Sequence, residues 1–134
     1  MLGEQIGEEK GKITGQRVLP NVNGAPAMET SFRATGKILG VAGTTTGTYS
    51  AHMRPDGTLY GEGQGIFMAE DGGAASWKGS GIGTLKAGGA VSYRGAIYYQ
   101  STQQKLARLN GCAAVYEYDV DAEGNTVGKS WEWR

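Results

Sequence analysis

Side chains disappear from alternate positions twice in the stretch LYGEGQGIFMAEDGGAASWKGSGIGTL, which runs from Leu59 to Leu85. Gly61, Gly63 and Gly65 form one row, and Gly79, Gly81 and Gly83 form another. A period of two is the signature of a β-strand, whose successive residues point to opposite faces. The same alternation marks eight extended segments: 10–19, 27–39, 44–53, 58–69, 74–86, 90–100, 112–120 and 125–134. Between them lie PNVNGAP, GVAG, RPDGT, EDGG, KAGG and DAEGN, each rich in residues that preset a turn or tolerate positive φ. Only STQQKLARLNG departs from this pattern. Leu106 and Leu109 stand three apart there and Gly111 follows, which predicts one helical turn ended by a glycine cap.

Short strands at regular spacing, joined by tight turns, predict an all-β fold. The expected architecture is an eight-stranded antiparallel up-and-down β-barrel with one short helical turn before the last two strands. A β-sandwich is the alternative. An eight-stranded barrel either fills its own interior or encloses one small ligand, and strongly bent strands need positions without Cβ. With no linker and no long amphipathic helix, residues 1–134 form a single domain.

Hairpin register decides what faces inward. A two-residue loop centred on Asp71 and Gly72 sets Ile66 opposite Trp77, Gln64 opposite Gly79, Glu62 opposite Gly81 and Tyr60 opposite Gly83. Each bare position then meets a large neighbour, whereas a slip of one residue sets glycine against glycine. A turn at Gly88 and Gly89 places Tyr98 beside Gly79 and Arg94 beside Gly83. In RPDGT, pairing Arg54 with Thr58 brings His52 near Tyr60, Ser50 near Glu62 and Thr48 near Gln64, although a bulge can reverse this parity. The expected inner set is therefore Tyr60, Glu62, Gln64, Trp77, Arg94 and Tyr98, joined by His52. Lys78, Tyr93, Ile97 and Tyr99 are expected outside. For the last two strands both facings stay open: Glu117 opposite Lys129 suits an exposed ion pair but puts Trp131 and Trp133 on one side.

This set is chemically equipped. A buried Glu62 could move a proton, Arg94 could clamp a carboxylate or enolate through its planar fork, and Tyr98 could donate to developing negative charge. These three are the candidate catalytic residues. His52, Tyr60, Gln64 and Trp77 are the candidate ligand-binding residues, with Trp77 as an apolar wall. The competing readings are a structural Glu62–Arg94 pair, a solvated His52 and a Trp77 that is simply core. Cys112 reads as a small buried hydrophobe.

Composition narrows the classes further. Thirteen basic residues balance thirteen acidic ones, so no strong field draws nucleic acid or an anionic membrane. One cysteine, one histidine and no HExxH leave no expected metal site. GEGQG and GSGIG do not continue as GxGxxG, so no nucleotide cofactor is expected. No apolar run spans a bilayer and the first residues do not read as a secretory signal, so the expected location is cytoplasmic.

The glycine-laced hairpins of GTLYGEGQGIFMAEDGGAASWKGSGIGTL, together with QQKLARLNGCAAVYEYDVDAEG, resemble the allene oxide cyclase-like barrels. That calycin-related group also includes dirigent proteins and uncharacterised bacterial families. The resemblance covers roughly the C-terminal half. It implies an eight-stranded barrel with a ligand cavity, assembled as a homodimer or homotrimer, in which a few polar groups steer cyclisation or coupling of small molecules. No catalytic motif of the family aligns residue by residue. The expected function is a small-molecule-binding barrel, a cofactor-independent cyclase or isomerase acting on a hydrophobic or carboxylate-bearing molecule. The alternatives are a non-catalytic lipocalin-like carrier and a packed barrel used only for assembly.

Overall fold

A computed structural model describes residues 2–134. Its eight strands are β1 (Leu2–Val22), β2 (Ala25–Ile38), β3 (Val41–Met53), β4 (Leu59–Ala69), β5 (Ala74–Leu85), β6 (Val91–Gln100), β7 (Ala114–Val120) and β8 (Asn125–Trp133). Each pairs antiparallel with the next, and β1 pairs with β8, so the sheet closes into an up-and-down barrel. Closure depends on the first residues of the chain. β1 begins at Leu2 rather than at Lys10, and its pairing with β8 runs from Leu2↔Trp133 to Lys12↔Asn125. Beyond Lys12, β1 pairs only with β2, in a hairpin that turns at Asn23 and Gly24 with φ of 51° and 80°. Those are the left-handed values a tight two-residue turn requires.

Two of the expected registers are corrected. The loop after β4 has three residues: Ala69 N–H donates to Gly73 O (2.7 Å), Gly72 N–H donates to Ala69 O (3.0 Å), and Gly72 has φ 102°. The loop after β5 is likewise one residue longer than a two-glycine turn, with Lys86 N–H donating to Ala90 O at 2.8 Å. Each extra loop residue slips the pairing by one. Gly61 therefore faces Gly81 and Gly63 faces Gly79, while Arg94 faces Ile82 and Tyr98 faces Lys78. The slips flank β5, so β5 keeps its expected facing and both of its neighbours turn over. The RPDGT hairpin pairs as expected, His52 with Tyr60, Ser50 with Glu62 and Thr48 with Gln64.

Glycine against glycine is tolerable because rings from other strands lie over the bare backbone. A Cβ on Gly61, which faces Gly81, would meet Tyr93 Cε1 at 3.2 Å, and one on Gly47, which faces Gly65, would meet the Phe32 and Trp77 rings at 2.7 and 2.8 Å. A narrow barrel has room for aromatic side chains where its wall is thinnest.

One end is closed by a short 3-10 helix, Gln104–Gly111. Its Leu106 and Leu109 are fully buried against Ile6, Ile38, Phe67 and Tyr99. The side chain of Asn110 accepts from Ser101 N–H (2.8 Å) and donates to Ser101 O (2.9 Å), tying the helix to the end of β6. Lys105 pairs with Asp71 of the β4–β5 loop. The helix stops with Cys112 N–H donating to Leu109 O at 3.1 Å, and Gly111 adopts no left-handed conformation. Among the described residues no helix is long and apolar enough to cross a membrane.

Candidate ligand-binding site inside the barrel

Alternation along each strand fills the interior with a different set from the one the expected registers select. β1 turns Glu9 inward between Gly7 and Gly11; β3 contributes Thr45 and Tyr49; β6 contributes Tyr93, Ile97 and Tyr99; β7 contributes Tyr116 and Tyr118; β8 contributes Thr126 and Ser130. Trp77 of β5 and Phe32 of β2 complete the wall. The hollow has a volume of about 110 Å³. Its rings pack as one cluster: Phe32 to Tyr118 at 5.2 Å, Tyr49 to Tyr93 at 5.6 Å, Tyr49 edge-on to Tyr118 at 5.7 Å, and Phe32 to Trp77 at 6.2 Å. These separations lie in the range where aromatic pairs attract.

Four polar atoms in this wall are buried without a well-formed hydrogen bond: Glu9 Oε2 and Thr45 Oγ1, which lie near each other, Tyr118 OH, which lies near the Tyr49 hydroxyl, and Thr126 Oγ1. Burial pushes the Glu9 carboxyl up to about 7, and the Thr45 hydroxyl beside it offsets this only in part. Burial also raises the phenols. Tyr99 and Tyr116 are each pushed up to about 12, and Tyr49, Tyr93 and Tyr118 are raised in the same direction, with neighbouring phenols adding to the effect for Tyr93 and Tyr118. At neutral pH the phenols stay protonated as donors, while Glu9 sits close to the midpoint between acid and carboxylate. A carboxyl poised near the working pH is what proton transfer needs.

The residues singled out from sequence are placed differently. Trp77 faces the interior as expected. Glu62, Gln64, Arg94 and Tyr98 lie on the outer face, with Tyr60 and His52 beside them, so their inward placement is corrected. The reason is the pair of slipped registers, which turned the even-numbered residues of β4 and β6 to the outside. Tyr93, Ile97 and Tyr99, expected outside, took the interior. Four of the six remain together, since Tyr60, Glu62, Gln64 and Tyr98 line an outer groove of about 520 Å³ with Glu29 and Thr48. Tyr60 OH donates to Glu62 Oε2 at 3.4 Å and the His52 ring lies 5.9 Å from that of Tyr60. Arg94 does not join them. It pairs with Glu117 (3.8 Å) and Asp119 (3.3 Å) of β7, a half-exposed surface network. Glu117 sits opposite Lys129, and the open question about the last strands resolves with Thr126, Gly128 and Ser130 facing in. Cys112 is half-buried, with its thiol pushed up chiefly by burial.

Glu9 is the residue that sequence reasoning missed. It lay one position outside the expected first strand, yet GEQIGEEKGKITG already carries the signal, with Gly7, Glu9, Gly11 and Ile13 alternating against Glu8, Lys10 and Lys12. No group of three or more His, Cys, Asp or Glu side chains that could hold a metal occurs among the described residues.

No family model matches the chain, and no curated protein matches it. Solved structures do match. A protein of unknown function from Clostridium acetobutylicum superposes with a TM-score of 0.82 at 14% identity, covering 96% of each chain. A β-barrel-like protein from Acinetobacter baumannii gives 0.83 at 10% identity, over 100% of this chain and 96% of the other. An enzyme from Penicillium herquei gives 0.70 at 14% identity, over 96% and 92%. At these identities the likeness is one of fold.

Proposed function

We propose that the protein binds a small molecule inside the barrel and that Glu9, not Glu62, is the group able to move a proton there. The observation that carries this reading is the convergence of four polar atoms without a well-formed hydrogen bond on one aromatic-walled hollow. A buried donor or acceptor left unpaired costs about 1–3 kcal/mol, and a ligand that satisfies several at once recovers that free energy on binding. If turnover occurs, it takes the form of a cofactor-independent isomerisation or cyclisation. Glu9 removes a proton from one atom of the bound molecule and returns it to another, while Tyr118 and the threonine hydroxyls hydrogen-bond the oxygen on which charge develops. The allene oxide cyclase-like resemblance supports such chemistry, the enzyme from Penicillium herquei supports only that this fold can host an enzyme, and the lipocalin-like carrier is the same site without the proton step.

The experiment is native mass spectrometry of the freshly purified wild type and of Tyr118→Phe with Glu9→Gln. A small molecule retained by the wild type and diminished in the double variant supports the interior site. Once that molecule is identified, conversion by the wild type that the single variant Glu9→Gln loses, with binding kept, marks an enzyme rather than a carrier. Retention unchanged in the double variant, or altered instead by Glu62→Gln in the outer groove, would sink the interior reading.

A further inference from the structure

The charge inventory of the hollow is one-sided. Its lining includes Glu8, Glu9, Glu62 and Glu117, of which only Glu9 stands at an inward strand position, and five phenols: Tyr49 from β3, Tyr93 and Tyr99 from β6, and Tyr116 and Tyr118 from β7. β2, β4 and β5 present Phe32, glycines and Trp77 at their inward positions, and Glu62 of β4 reaches the lining only from an outward one. The one basic residue of the lining is Lys129, whose strand position is an outward one and sets it opposite Glu8 and Glu117. Arg94, the expected clamp for a carboxylate, is engaged outside with Asp119.

A carboxylate enclosed in this way lacks the countercharge that would offset its desolvation. The faces of tyrosine, phenylalanine and tryptophan rings are also negative, and they attract a cation placed over them. An anionic ligand would meet repulsion from Glu9 and no compensating donor of full charge. We infer that the barrel interior selects a small cationic molecule, an alkylammonium with at least one N–H, which donates to Glu9 Oε2 while its apolar part packs against the Phe32, Tyr49 and Trp77 rings. This rests on the interior being a ligand site, and it replaces the carboxylate-bearing ligand that the sequence suggested with a molecule of opposite charge.

Three probes of nearly one shape separate charge from fit: tert-butylammonium, tert-butanol and pivalate. Each is titrated into the full chain, with the indole N–H resonance of Trp77, assigned by loss in Trp77→Phe, reporting entry. Tert-butylammonium is expected to bind at least tenfold more tightly than pivalate at pH 8. Its affinity should rise between pH 6 and pH 8 as Glu9 ionises, because the five phenols stay neutral across that window. Glu9→Gln should abolish both the preference and the pH dependence while leaving the weak binding of tert-butanol in place. Pivalate binding as tightly as the ammonium, or ammonium binding that is indifferent to Glu9→Gln, overturns the cation assignment but leaves the interior site standing. If none of the three shifts Trp77, including the neutral alcohol, the site reading itself fails and this inference falls with it.

Discussion

Glu9 couples the fold to pH. Its carboxyl is raised from 4.5 to about 7 by burial, so between those values the folded chain holds a proton that the unfolded chain has released. Stability from this group is fully present below about pH 4.5 and is lost as pH rises through 7. A shift of that size corresponds to roughly 3 kcal/mol at most. Urea unfolding of wild type and Glu9→Gln at pH 5 and pH 8 isolates it, since the depressed carboxylates Asp119, Asp121 and Glu132 are common to both proteins. The variant is expected to lose less stability than the wild type on going from pH 5 to pH 8. Equal losses would mean that Glu9 is solvated in the folded state. Legibility at this scale was uneven. Trp77 is placed correctly because its strand is, whereas for Glu9 the alternation through Gly7, Glu9 and Gly11 shows a strand without marking its first residue. The need to reach β8 sets that start.

At the scale of single elements, the strands could be read from alternation and the loops could not be counted to the residue. EDGG and KAGG suit both a two-residue turn and a three-residue loop with glycine at positive φ. The choice is made by rings that lie over bare backbone: Trp77 over Gly65 directly opposite it, and Tyr93 over both Gly83 opposite it and Gly61 one strand further on. Pairwise counting that asks for a large residue opposite each glycine does not see that one ring, Tyr93, covers glycines on two strands. RPDGT was readable because proline fixes the start of its turn and Gly57 (φ 87°) its end. The packing role of the glycine rows has a direct consequence. A methyl group at Gly65 collides with the Trp77 indole, whereas a methyl group at Gly15 meets nothing within 4 Å. Gly65→Ala is expected to cost about 1–3 kcal/mol by overpacking. Gly15→Ala should stay within roughly 0.5 kcal/mol of wild type. The midpoints of denaturant unfolding check both, and equal effects would show that the glycine rows serve the bend of the strands rather than the rings.

For the molecule as a whole, closure at one end by Leu106 and Leu109 and the aromatic lining of the interior make the barrel a container whose contents are set by inward parity. The eight-stranded architecture was legible from strand number and spacing, because those depend on local pattern. The identity of the interior was not, because two one-residue slips exchange the faces of β4 and β6 while leaving the barrel unchanged. The central claim is therefore that Glu9 points into a shared, poorly hydrated hollow. It is tested most directly by following side-chain carboxyl resonances of carbon-13-labelled glutamate through a pH titration of the intact protein. The expected result is one carboxyl titrating at about 7 that is missing from the Glu9→Gln spectrum. A Glu9 resonance titrating near 4.5, the ordinary value for a solvated glutamate, would contradict the placement and everything built on it.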